Sequence, residues 1–145
     1  MTSGNLVNLI IYNKVGNFLE ELFIDSVDTE YCLRLKKFNY KIQRVLSVVL
    51  NHNLGDMKYY NFGNKKITYT NHNYLRRYYM MRNRLYIWKK YADVLPSFID
   101  SDKKQAMKEI IKILLFENSK FKKIIYTLKG YIDYKKNKFG KINAK

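Results

Sequence analysis

Apolar positions between Leu6 and Val15 come in short clusters interrupted by Asn8, Asn13 and Lys14. That pattern predicts a short helix, and Gly16 stands where a left-handed residue would stop it. Gly16 to Glu21 reads as a turn leading into an acidic loop. Asp28 to about Lys37 reads as a second helix, with Asp28 and Glu30 in its first turn and Arg34, Lys36 and Lys37 near its end, as the helix macrodipole favours. Tyr40–Leu50 is rich in Val, Ile and Leu and runs into Asn51-His52-Asn53-Leu54-Gly55, which predicts a buried strand followed by a turn.

From Gly55 to Asn73 the chain is polar and aromatic without clear period, so a loop is expected, with room for a short hairpin. The remainder is helical in pattern. Leu75, Tyr78, Tyr79, Leu85 and Trp88 recur near helical spacing among Arg76, Arg77, Arg82, Arg84 and Lys89. Pro96 separates that helix from a second, capped by Asp100 or Asp102 and carrying Met107, Ile110, Ile111, Leu114 and Leu115. A third runs from about Phe121 to Tyr134, with Ile124, Ile125, Leu128 and Ile132 among lysines. Three zones result: 1–55, a connecting loop 56–73, and a basic amphipathic helical region 74–145. One or two strands are too few for an independent sheet, so the first zone reads as the end of a larger α/β domain.

Charge sharpens this division. The chain of 145 residues has a formal net charge of +16, yet the stretch from Met1 to Tyr31 holds five acids against one base, Lys14. The positive excess therefore lies beyond it and would draw anions: nucleic acid, acidic lipid head groups or phosphorylated substrates. With 47% apolar residues the composition is that of a folded domain rather than a disordered tail. A single cysteine, Cys32, excludes an intramolecular disulfide and fits a reducing compartment. The N-terminus lacks a basic segment followed by an apolar one, and no apolar run approaches the ~20 residues of a membrane span. A soluble or surface-bound intracellular protein is expected.

The segments Thr2-Ser3-Gly4-Asn5-Leu6 and Gly16 to Arg34, followed by Tyr40-Lys41-Ile42, His52-Asn53-Leu54-Gly55, Arg77-Tyr78-Tyr79-Met80-Met81-Arg82-Asn83 and Phe139-Gly140-Lys141, resemble the acceptor-side half of family 2 glycosyltransferases. Within that family the chain looks most like the rhamnosyltransferases of bacterial surface polysaccharide synthesis. The resemblance implies the C-terminal portion of a GT-A fold with a basic α-helical tail. It also implies inverting transfer of a sugar, dTDP-rhamnose being the expected kind of donor, to a lipid-linked saccharide at the inner face of the cytoplasmic membrane. Such chemistry needs a base for the attacking hydroxyl, and a carboxylate at a helix start suits it, because the dipole keeps it ionised. Asp28 falls at the family's base position, although the residue alone would read as a helix cap.

By the same resemblance Thr2, Ser3, Gly4, Asp25 and Glu30 would border the acceptor. For Glu30 a first-turn acid complementing the dipole is an equal reading, and for Asp25 a solvated loop acid is the stronger one. His52 matches a histidine that can join a metal site, here Mg²⁺ or Mn²⁺, and can equally be a hydrogen-bonded residue at a strand end. Arg77, Arg82 and Asn83 would contact phosphate or membrane, the guanidinium fork suiting phosphate oxygens. A helix with an aromatic core stripe and a solvated basic face is the competing reading.

No Asp-x-Asp pair precedes the base segment and no Gly-rich phosphate loop occurs. Asp100 and Asp102 read as cap and loop residues. The chain is thus expected to be one wall of a transferase site, inactive without a donor-binding half supplied by further polypeptide. Two other classes fit the charge: a nucleic-acid-binding module, against which stands the lack of any helix-turn-helix, zinc-ligand or RNP pattern, and a membrane-surface accessory protein without catalysis.

Overall fold

Asn8 begins the first regular element by accepting hydrogen bonds from the amides of Ile10 and Ile11, which opens helix α1, Leu9–Val15. The structure is a computed structural model and describes residues 4–51 and 57–142. Gly16 ends α1 at φ +91°, its amide bonded to Tyr12, as the sequence predicts. A single 3-10 turn, Glu20–Leu22, leads into α2, Val27–Lys37. Two antiparallel strands follow, β1 (Met57–Phe62) and β2 (Lys65–Thr70), paired from Met57 opposite Thr70 to Phe62 opposite Lys65. The rest is helical: α3 (Tyr74–Tyr91), α4 (Pro96–Phe116) and α5 (Lys120–Lys135). The architecture is therefore mixed, mostly helical, with one two-stranded sheet among the described residues.

Local chemistry explains the boundaries. Asn73 caps α3 by accepting from the Arg76 amide. Pro96 is the first residue of α4, where its missing N–H costs nothing. This corrects the expected cap: Asp100 and Asp102 lie inside α4, because the fixed φ of Pro96 starts the helix earlier.

α3 is the centre of the molecule and packs chiefly against α5. The two approach so closely that a Cβ on Gly130 of α5 would lie 2.4 Å from the Tyr78 carbonyl oxygen. On the other side of α3, Leu33 of α2 joins Ile87, Tyr91 and Ile99 in a buried cluster, with Trp88, Val94, Leu95 and Phe98 around it. The hairpin rests on the far end of α4 through Phe116, whose ring meets Tyr60 and Tyr69.

The strand expected over Tyr40–Leu50 does not form. Residues 41–51 have no regular structure, and Val45, Leu46, Val48, Val49 and Leu50 are exposed, Leu46 at 79%. A strand needs a ladder partner for its backbone and a layer to cover its apolar face, and among the described residues neither lies beside this stretch.

Candidate functional site

Among the described residues, positive φ angles gather in the loop from Phe23 to Ser26. Phe23, Asp25 and Ser26 all have positive φ, at 61°, 62° and 66°. For residues with a Cβ this costs about 1 kcal/mol or more each and needs holding from outside. The holder is the middle of α3. The Asn83 side-chain amide donates to the carbonyls of Leu22 (2.9 Å), Ile24 (2.8 Å) and Asp25 (2.9 Å). Arg82, fully buried at 0% exposure, donates to the carbonyls of Leu22 (3.0 Å), Glu21 (3.2 Å) and Gly140 (2.7 Å). Arg76 closes the loop from the outside with a two-pronged ion pair to Asp25, at 3.0 and 2.9 Å.

What the loop delivers is the start of α2. Asp28 lies in its first turn, half-buried, and faces a pocket of about 230 Å³. Asp25, Ser26 and Thr29 line the same wall; Met80, Ile87 and Phe98 form an apolar side, and Arg84 and Asp102 face in from α3 and α4. One turn along α2, burial first and the Asp28 carboxylate second push the Cys32 thiol above its usual pKa.

Arg84 is fixed in this pocket by Glu109, at 2.8 and 2.9 Å, and by Asp102 at 3.3 Å. Burial opposes both charges, but the pair outweighs it: Arg84 is raised and Glu109 lowered from their usual values. Asp102 also accepts from the Trp88 indole at 2.8 Å. An uncharged or anionic guest would thus meet one guanidinium, already partnered, and the Asp28 carboxylate.

The residues singled out in the sequence separate here. Asp28 and Asp25 come together in the pocket, with Asp25 turned to Arg76. Glu30 does not join them. It is buried at 0% exposure, paired with Arg34 at 2.8 Å and hydrogen-bonded by the Tyr91 hydroxyl, so it braces α2 against α3 instead of meeting an acceptor. Gly4 lies beside Leu50, outside the pocket lining; Thr2, Ser3 and His52 lie outside the described residues.

Arg77, Arg82 and Asn83 are corrected in the same way. All three are buried, Arg77 between Glu117 and Glu109, so the expected phosphate or membrane contact would require breaking internal bonds. Part of the basic–aromatic run of α3 is turned inward, Arg77, Tyr78, Tyr79 and Arg82 being buried while Arg76, Lys89 and Lys90 stay exposed. Arg84 and Asp102 are the pocket residues that sequence reasoning passed over. Their signal was present: Arg84 and Trp88 are one turn apart on α3, as partners for a carboxylate would be.

Among the described residues no group of three or more His, Cys, Asp or Glu is arranged to hold a metal ion. Asp25 and Asp102 are already matched to arginines, so this pocket's donor set does not fit a divalent cation.

Over 90 residues the chain is 34% identical to the dTDP-rhamnosyl transferase RfbF of Shigella flexneri. The resemblance is to a rhamnosyltransferase. The match takes in 62% of this chain but 29% of that protein, so the chain spans less than a third of the relative's length. No family model and no solved structure matches it.

Proposed function

We propose that this chain is the acceptor wall of a glycosyltransferase of the rhamnosyl-transfer kind, with Asp28 as general base. One observation carries the reading: a carboxylate held in the first turn of α2 by a clamped, strained loop, and opening onto a pocket. The relative, a dTDP-rhamnosyl transferase, suggests the reaction class and a dTDP-linked sugar as the donor. In the reaction, the acceptor hydroxyl attacks the anomeric carbon while the bond to the diphosphate breaks. Asp28 takes the hydroxyl proton, and the sugar is transferred with inversion. The apolar side formed by Met80, Ile87 and Phe98 would receive a sugar face, and Arg84 would hydrogen-bond its hydroxyls. A lipid-linked saccharide is the acceptor class we assign to it.

Donor binding falls to a further polypeptide of the GT-A kind. The bare apolar stretch 42–50 is the surface it would cover, and any divalent cation would be bound mainly by that half. The test supplies a donor half, fused or in trans, and follows sugar transfer with Asp28→Asn. The expected loss is about 100-fold or more. An unchanged rate removes Asp28 as the base.

A further inference from the structure

We infer that α5 is a lipid-facing helix, lying along an anionic bilayer with its outermost ridge in the acyl boundary. The face of α5 turned to α3 is fixed by its buried residues Lys123, Thr127 and Gly130. Opposite that face, a solvated helix would carry its most polar side chains. Here it carries Phe121, Ile125, Leu128 and Ile132, spaced four, three and four residues apart and therefore in one line. All four are exposed, Phe121 at 88%. Lysines border the line on both sides: Lys122, Lys129 and Lys136 along one edge, Lys120 and Lys135 along the other, all exposed.

The acids are sorted the opposite way. Asp133 is the one acid of α5 and accepts the Tyr78 hydroxyl at 2.9 Å. On the neighbouring α4, Asp102, Glu109 and the following Glu117 are paired with arginines of α3, and Asp100 faces Lys103. The outer surface of α4 repeats the theme with exposed Met107, Ile111 and Leu115 beside Lys104 and Lys108. Cations and apolar side chains outside, with the acids of α4 and α5 other than the exposed Asp100 tied to α3, is a charge arrangement that complements an anionic surface. The apolar line is a convex ridge on a single helix, a shape that a deformable acyl layer accommodates, while long lysine stems let their ammonium groups reach the head groups. No helix among the described residues is long and apolar enough to cross a membrane, so the contact is along the surface.

This inference does not rest on the sugar-transfer reading, and its test needs no enzyme activity. The whole chain is sedimented with vesicles of phosphatidylcholine mixed with phosphatidylglycerol, and with vesicles of phosphatidylcholine alone. Binding to the mixed vesicles, weakening with salt, is expected, with little to the neutral ones. The double variant Phe121→Ser, Ile125→Ser should bind the mixed vesicles about tenfold or more weakly. Lys122→Glu with Lys129→Glu should cause a similar loss. Both pairs are solvent-facing, so their circular dichroism should match the wild type. The inference is overturned if the wild type ignores the mixed vesicles, or if the serine variant binds them as well as the wild type does. It is also overturned if the ridge instead joins two copies of the chain, seen as a dimer in ultracentrifugation that the serine pair returns to monomer.

Discussion

Two stretches flank α2, and they are held in opposite ways. Residues 20–26 have awkward backbone, with positive φ at Phe23, Asp25 and Ser26, yet the carbonyls of Glu21, Leu22, Ile24 and Asp25 meet donors from Arg82 or Asn83. Residues 41–51 contain the side chains that bury most readily, Val, Leu and Ile, and leave them in water. The first stretch is strained and complete; the second is relaxed and unfinished. Strain tolerated on one side of α2 indicates a place whose geometry matters to the molecule. Uncovered apolar surface on the other side marks where another body is needed.

The contrast is broken most severely at its clamp. Arg82→Ala strips donors from the carbonyls of Glu21, Leu22 and Gly140 and should lower unfolding free energy by roughly 3–5 kcal/mol, measured by urea denaturation. Next is the packing beneath it. Gly130→Ala puts a methyl 2.4 Å from the Tyr78 carbonyl oxygen, where backbone must move; about 1–3 kcal/mol should be lost by the same measurement. The unfinished side should behave differently. Leu46→Ser with Val49→Ser should change the stability of this chain by no more than about 0.5 kcal/mol. The same pair should weaken association with an added donor half, and a large stability loss in the chain alone would mean that the stretch is already covered.

The smallest effect reads the carboxylate that the clamped loop delivers. The Cys32 thiol is raised by burial and, in second place, by Asp28. Asp28→Asn removes the second cause alone, so the thiol should titrate at lower pH while staying above its usual value. The pH dependence of iodoacetamide alkylation would therefore move modestly toward acid. No movement would mean that Asp28 points away from α2's interior turn.

Much of the helical framework was legible because its signals are local. Gly16 and the acid-to-base polarity of α2 each act within a turn of the chain. Asp28 at a helix start was legible for the same reason. The strand over 40–50 was not, since an apolar run tells what a segment can pair with and not whether the partner is present. The interior placing of Arg77, Arg82 and Glu30 was equally hidden. A guanidinium is buried only when carbonyls and carboxylates distant in sequence converge on it, and for Arg82 those belong to residues 21, 22 and 140.

That last convergence makes residues 140–142 a strut. The Gly140 amide donates to Glu21 at 2.6 Å, and the Ile142 amide to the Tyr79 hydroxyl at 2.8 Å. Residues 140–142 thereby prop the loop that aims Asp28. Trimming the protein back to the end of α5, or tethering a bulky tag where the strut lands, would slacken a carboxylate at the opposite end of the sequence without touching any residue near it.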